Sequence, residues 1–554
     1  MDYSELTEVY QKLEKTSSRL DMTSIIADFL ERVPEEDLQI ILLSLRGRVF
    51  PSWSEKDLGI GHKTVIKAIS IVSGVPVNKV EDKIRETGDP GIAAEQLLVN
   101  KTQTTLSTEK LTINRVYENL NKLTVLTGKG SQDRKIRYIT ELLSFSQPIE
   151  SRYLIRTILE KLRLGVGEGI VRDAIAQSFQ VDPGLVEKAY SMNPDLGEVA
   201  GIAKSQGNYG LEKIRLTPGR PMKVMLAQKA GDIGEVMDKF RVVALEIKYD
   251  GARIQIHKSS SDIQLFTRRL EDVTKQFPEI AESARKNIKA DSAIIEGEMV
   301  AIKSLGDRRP RPFQDLSRRI KRKYGIPEML EKIPVEINLF DVVFYEGVDK
   351  TDEGFRERRK LLEEIITETD LFRLAEQSVT GNREEADRFY KHALDQGHEG
   401  VMAKNLDAPY QPGSRVGYMY KIKPVMETLD LVIVGATWGE GRRAHWLASY
   451  LLAALDPDTG ELLTIGRMGT GLSDEQFKDM TRRLKDYTVK EEGKEVMLKP
   501  RIVVEVAYEE IQKSPTYESG YALRFPRLVR IREDKGVDDA DTIARVGKIF
   551  NGGG

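Results

Sequence analysis

A lysine that ends an apolar run and precedes an Asp-Gly corner is a candidate nucleophile, and this chain carries one at Lys248-Tyr249-Asp250-Gly251-Ala252-Arg253. The flanking runs Val242–Ile247 and Ile254–His257 predict a β-hairpin around that corner. Val242 to Leu245 is uninterrupted apolar sequence, which predicts a strand buried on both faces. Glu246 and Lys248 are two apart and leave a strand on the same face. Beside them, Gly251 allows a ligand to approach the backbone. The spacing recurs. Glu296 and Glu298 alternate within Ile294–Val300, Lys421 and Lys423 within Tyr418–Pro424, and Glu399-Gly400 opens the apolar stretch that ends at Lys404. Charges on such strands need partners or ligands, because an isolated buried ion costs several kcal/mol. Carboxylates and lysines converging on one cleft suit a metal–nucleotide site, with acids on the metal and lysines on phosphate.

Lys248 then has a route to reactivity. A free lysine has a pKa near 10.4, and lowering it to roughly 7–8 takes about 3–5 kcal/mol of differential stabilisation of the neutral amine. Desolvation and neighbouring cations such as Lys421 and Lys423 act in that direction. A neutral amine there can attack phosphorus and hold a nucleotide as a phosphoramidate.

The elements that must position these groups divide the chain. Its 554 residues exceed what one hydrophobic core supports, so two to four domains are expected. The chain has no cysteine, which excludes disulfides, thiolate zinc sites and cysteine nucleophiles; its five histidines lack ligand-like spacing. No leader-like or bilayer-length apolar segment occurs, so a soluble cytoplasmic protein is expected. The net charge is −2 with 31% charged residues, so any polyanion-binding face must arise by charge segregation.

Up to about residue 215 the pattern is helical. Runs at Ser24–Phe29 and Leu38–Leu45 are apolar on one side, and Arg152–Arg163 predicts a helix capped by Gly165. Leu216–Pro221 reads as a linker. Residues 216–424 alternate strands (Ala244–Lys248, Arg253–His257, Ala293–Ile302, Val335–Phe344, Gly400–Lys404, Met419–Ile422) with helices, an α+β pattern. From 425 to 554 short strands, a turn at Asp456–Gly460 and a strand at Ile502–Ala507 predict a small barrel of the OB-fold kind, ending in a disordered Gly552–Gly554 tail. The densest basic segment, Asp307 to Lys323, is a candidate contact for a nucleic-acid backbone.

Together with Thr267-Arg268-Arg269-Leu270-Glu271-Asp272, Glu296-Gly297-Glu298, Asn338-Leu339-Phe340-Asp341-Val342, Glu399–Lys404, Tyr420–Lys423 and Leu523–Lys535, the Lys248 string resembles the covalent nucleotidyltransferases. The ordered set is most similar to ATP-dependent DNA ligases of the archaeal and eukaryotic replicative type. The resemblance implies an all-α N-terminal DNA-binding domain (1–215), an α+β adenylation domain (216–424) and a C-terminal OB-fold barrel (425–554). It implies sealing of nicked double-stranded DNA by a likewise monomeric enzyme with ATP and Mg2+, in replication, repair and recombination.

Residue by residue, the resemblance makes Lys248 the nucleophile that takes AMP and Glu246 the reader of the adenine amino group. Phe340 would stack on the base, and Arg253 and Arg268 would touch phosphate or nick. Glu298 would serve ribose or metal, and Glu399 the second metal position. Arg415, Lys421 and Lys423 would grip phosphates, while Arg532 and Lys535 would orient the leaving pyrophosphate. Arg269 departs from a position often polar and uncharged in the family. No Walker motif occurs, so ATP is not held by a P-loop; Gly128–Ser131 reads instead as a phosphate contact of the DNA-binding domain. A Gln-led segment at Gln103–Leu106 is a candidate sliding-clamp site, although it lacks an aromatic pair. A capping guanylyltransferase and a non-catalytic scaffold share parts of the pattern; the helical N-terminal domain and Arg532–Lys535 favour a ligase.

Overall fold

The computed structural model describes every residue except 52, 55, 102–109, 129, 323, 425–426, 440–442 and 552–554. The candidate clamp segment at Gln103–Leu106, Lys129 and the glycine tail therefore lie outside the described residues. The chain falls into two compact units, Met1–Lys423 and Pro424–Gly554.

The first unit opens with twelve α-helices among the described residues, from Tyr3–Glu14 to Leu196–Leu211. Ser18, Asp89, Thr112, Asp182 and Asp195 cap helix N-termini, each side chain accepting from a backbone N–H of the first turn. The apolar stripes merge into one core that includes Leu6, Ile26, Leu42, Ile69, Leu154 and Ile175. The helix expected at Arg152–Arg163 instead spans Pro148–Ile158, begun by Pro148 and the Gln147/Glu150 capping box. It ends early because the chain reverses: Glu160 and Arg163 adopt φ of 54° and 53°, and the Lys161 N–H returns to the Arg156 carbonyl at 2.7 Å. Leu162 still reaches the core, but from the loop.

After the linker come two sheets. One runs in the order β1 (Leu226–Lys229), β12 (Arg415–Ile422), β11 (Val401–Asn405), β2 (Val243–Ile247), β10 (Gln377–Thr380). The other runs β4 (Asp262–Thr267), β3 (Ala252–Ser259), β5 (Ser292–Ser304), β7 (Val335–Tyr345), β8 (Val348–Asp349). β6 (Asp307–Pro310) adds to β5, and β9 (Phe372–Leu374) to β7. β2 is buried at every position, as expected for Val243–Leu245, but Val242 at the head of the apolar run lies before the strand and is exposed.

The Lys248–Arg253 corner is not a hairpin. β2 already has β10 and β11 on its two edges, while β3 pairs with β4 and β5, so Lys248 to Gly251 carries the chain from one sheet to the other. A Cβ on Gly251 would lie 2.2 Å from the Met299 carbonyl of β5, so glycine is required by close approach at this crossing.

The second unit is strand-rich. Its long strand β13 (Leu429–Trp438) pairs along one edge with β14 (Leu447–Leu455), which pairs with β15 (Leu462–Met468). Along its other edge β13 takes β17 (Glu495–Leu498) and β18 (Val503–Ala507) in succession, and β16 (Thr488–Glu492) extends β17. β21 (Arg527–Ile531) pairs with β18 and meets Thr470, just beyond β15, through a parallel bridge, closing a five-stranded circuit of the expected barrel kind. β19 (Glu510–Lys513) and β20 (Tyr521–Arg524) form a separate hairpin. Asp456–Gly460 joins β14 to β15, and Leu431, Ile433, Tyr450 and Phe477 fill the interior.

The basic segment is less open to a partner than its composition predicts. Arg308 pairs with Glu336, Arg309 with Asp307 (2.6 Å), and Arg311 and Arg318 with Asp315. Arg319 is fully buried: it donates to the carbonyls of Gln276 and Ile333, pairs with Glu279 and stacks 4.6 Å from the Phe277 ring. Breaking a buried pair on one side leaves an uncompensated charge. Arg319→Ala should therefore lower stability by roughly 3 kcal/mol, as read from urea unfolding.

Candidate active site

Lys248 lies just past β2, where Glu399 and Gly400 together oppose it: its N–H donates to the Gly400 carbonyl (2.9 Å) and its carbonyl accepts from the Glu399 N–H (3.1 Å). This two-against-one arrangement is a bulge, which re-aims a side chain. Gly400 makes it possible with φ of 131°, and a Cβ there would fall 2.2 Å from the Ile422 carbonyl. The result is that the Glu399 carboxylate pairs with Lys248 and, at 2.7 Å, with Lys423. Burial pushes the Glu399 carboxyl up, but Lys248 and Lys423 outweigh it and hold the group below the ordinary carboxylate range. Both lysines meet the same oxygen, Oε2, as ion pairs without an aligned hydrogen bond.

Register places the other charges. Residues opposite one another across a ladder share a face, so Glu246, Met402 and Lys421 form one row on β2, β11 and β12, beside Lys248. The same rule places Arg253, Glu298 and Asn338 in a row across β3, β5 and β7. Glu298 is half-buried. Burial first, then the charges of Glu399 and Asp250, push its carboxyl up to about 7 against the opposing pull of Lys248 and Arg253.

Phe340 is the extra residue where β7 slips against β5, between Leu339 opposite Gly297 and Asp341 opposite Glu296. Its ring is flanked by the Arg253 guanidinium at 5.1 Å and the Lys404 ammonium at 4.7 Å. Glu246 does not pair with Lys248. It is 2% exposed, ion-paired to Lys404 at 2.6 Å, and accepts from Gln377 Nε2 at 3.0 Å.

Arg253 also differs from a free phosphate contact. Its Nη1 donates to the Met225 carbonyl (3.1 Å) and its Nη2 pairs with the buried Glu296, which also accepts from the Tyr410 hydroxyl (2.8 Å). Arg268 is exposed at the corner after β4, one residue past the Thr267–Ile254 pair. Arg415 is exposed at the start of β12 and donates to the Ala227 carbonyl at 3.3 Å. In the second unit, Arg532 and Lys535 both bind Asp430 Oδ2, at 2.7 and 2.8 Å, and Arg532 also grips Asp534.

Sequence reading missed Tyr410 and Gln377, and named Glu296 and Lys404 without giving either a role. Lys404 and Glu296 sit in the quoted motifs and carry the same alternating charge signal. Tyr410 and Gln377 give none, because their partners are 114 and 131 residues away.

Magnesium needs hard oxygen ligands and is commonly held by one or two carboxylates, with water and substrate phosphate completing its shell. Among the described residues no group of three or more His, Asp or Glu side chains forms a dedicated cage. Glu298 and Glu399, carboxylates within electrostatic range of each other, fit the sparser arrangement.

Lys248 thus stands at the crossing between two sheets with charges from both around it, and residues 224–423 match the family model described as the ATP dependent DNA ligase domain. Residues 2–176 match the DNA ligase N terminus and 443–535 the ATP dependent DNA ligase C terminal region. The DNA ligase of Thermococcus fumicolans is 49% identical over 551 residues, spanning 99% of this chain and 98% of that protein. That of Archaeoglobus fulgidus is 46% identical over the same length. A solved structure titled Pmar-Lig_Pre shares the fold, with a TM-score of 0.61 at 18% identity over 95% of this chain and 99% of that one. The chain belongs to the ATP-dependent DNA ligase family.

The raised carboxyl of Glu298 carries a stability signature. Between its ordinary value of 4.5 and about 7, it is charged in the unfolded chain but protonated in the fold, so its contribution falls as pH rises through that window and then levels off. Glu298→Gln should gain stability over the parent between those limits and keep the gain at about pH 8, as read from denaturant midpoints. A difference independent of pH would show that Glu298 titrates normally.

Proposed function

We propose that this ligase seals nicks in duplex DNA through a Lys248–AMP intermediate, within functional regions 1–215, 216–424 and 425–554. The observation that carries this reading is the juxtaposition of Lys248, Glu399 and Lys423 across the bulge at Gly400. Lys248 Nζ, once deprotonated, attacks the α-phosphorus of ATP. An N–P bond forms as the P–O bond to pyrophosphate breaks. AMP then passes to the 5′-phosphate at the nick, returning Lys248, and the 3′-hydroxyl attacks that phosphate and expels AMP.

Lys421 and Lys423 bind the phosphate oxygens and spread their charge, while Arg415 and Arg268 extend the cationic surface towards phosphate or nick. Glu246, fixed by Lys404 and Gln377, offers an acceptor to the adenine amino group, with Phe340 against the base. Arg253 orients the nucleotide. Glu298 and Glu399 would hold Mg2+, which when bound neutralises charge developing on phosphate. Arg532 and Lys535 act on the leaving pyrophosphate, and their shared Asp430 holds the two cations side by side. The enzyme acts as a cytoplasmic monomer in replication, repair and recombination; no helix among the described residues is long and apolar enough to cross a membrane.

Incubation with labelled ATP should leave label on the protein that resists alkali and is released by acid, as an N–P bond requires, and Lys248→Ala should abolish it. Label from NAD or GTP in preference to ATP would contradict the reading. Lys535→Ala should slow self-adenylylation yet largely spare sealing of a pre-adenylylated nick; equal loss in both assays would remove the role given to Arg532 and Lys535. Backbone-dominated contacts should make nick binding salt-sensitive and indifferent to sequence, which titration of several nicked duplexes at two salt concentrations will check.

A further inference from the structure

Four residues far apart in sequence close a ring of hydrogen bonds behind the cleft. The Met225 N–H donates to the Tyr410 hydroxyl oxygen at 2.9 Å, and that hydroxyl donates to Glu296 Oε2 at 2.8 Å. Arg253 Nη2 pairs with the same carboxylate oxygen, and Nη1 returns to the Met225 carbonyl at 3.1 Å. Tyr410 and Glu296 are 2% and 0% exposed, so no solvent competes for these bonds.

The ring has a fixed and an adjustable side. The linker backbone is clipped to alternate residues of β3: the Gly219 N–H donates to His257 Nδ1 at 3.1 Å, and Gln255 binds both the N–H and the carbonyl of Met222. Met225, three residues on, is thereby held close to β3. Tyr410 lies on the loop between β11 and β12, and its hydroxyl joins that loop to both linker and β5. Burial first, then the Glu296 carboxylate, keep the phenol protonated with its pKa well above the ordinary 10, so it remains a donor at any working pH. With both Nη atoms taken, Arg253 keeps Nε as the nitrogen without a protein partner.

We propose that Tyr410 is a positioning residue for adenylyl transfer: its hydroxyl, through Glu296 and the Met225 backbone, fixes the orientation of the Arg253 guanidinium without touching the nucleotide. This rests on the reading of Arg253 as a nucleotide-orienting group. A misplaced catalytic or orienting group slows chemistry steeply, whereas a merely structural defect lowers the fraction of competent molecules.

The test is single-turnover self-adenylylation of the full chain with labelled ATP, which separates rate constant from amplitude. Tyr410→Phe keeps the ring and should lower the saturated rate constant by about tenfold while the amplitude stays near that of the parent. Arg253→Lys should also be slowed, and adding Tyr410→Phe to it should cost less than about twofold more, because the two act as one unit. Glu296→Gln preserves shape and, as a second route into the ring should Tyr410→Phe fail to fold, should show the same loss and the same non-additivity. An impaired Arg253→Lys with an unimpaired Tyr410→Phe, losses that multiply independently, or a loss confined to amplitude would overturn the proposal alone. An unimpaired Arg253→Lys would overturn the reading of Arg253, and the proposal with it.

Discussion

Charge taken out of water must be matched within the fold, and in the two-sheet region this requirement ties the structure together. Glu246 is matched by Lys404 and Gln377, Glu296 by Arg253 and Tyr410, Glu399 by Lys248 and Lys423, and Asp341 by the buried Arg358 at 2.8 Å. In each set the partners come from different elements, strands and loops for the first three and a strand and the Phe355–Ile365 helix for the last. None of these ions can be accommodated until several elements have come together, so the site's geometry is established with the core and not after it. Such pairs add little net stability over apolar replacements. What they supply is a defined resting position for each of these side chains.

The strands that carry this chemistry were legible in the sequence because alternation is a local property. β2, β5, β7, β11 and β12 lie where apolar runs placed them, and the paired charges two residues apart fall on shared faces as the pleat demands. The failures are equally physical. Two strands joined by an Asp-Gly corner read as a hairpin, yet edge competition from β10 and β11 sends β3 to the other sheet. Periodicity extended one helix through Leu162 because a buried leucine looks the same in a helix and in the loop that follows it. Composition could not show that one cation of the basic Asp307–Lys323 segment, Arg319, is an interior residue with Glu279 as its counter-ion, while Arg309, Arg318, Lys321 and Arg322 are exposed. Tyr410 was invisible because nothing near Pro409-Tyr410-Gln411-Pro412 records a carboxylate on β5.

The glycines show where local and tertiary demands meet. Gly251 and Gly400 stand in short motifs that look like ordinary turn sequence. Each is required by a carbonyl of another strand, Met299 in one case and Ile422 in the other, 2.2 Å from where a Cβ would sit. At Gly400 the backbone conformation does more than permit a turn. It sets two residues of β11's approach against one of β2's, and so brings the Glu399 carboxylate to the Lys248 amine.

That contact has a consequence for reactivity. A lysine in contact with a carboxylate must give up both a proton and that contact before it can form a bond to phosphorus. Glu399 already has a second cation in Lys423, so releasing Lys248 does not strand a buried charge, and the cost of the exchange stays small. On the reading proposed for this site, Lys423 stays beside Glu399 while it meets the phosphate oxygens, and Lys248 turns towards phosphorus. One carboxylate shared by two lysines is therefore better suited to a lysine that must alternate between paired and reacting states than two isolated ion pairs would be.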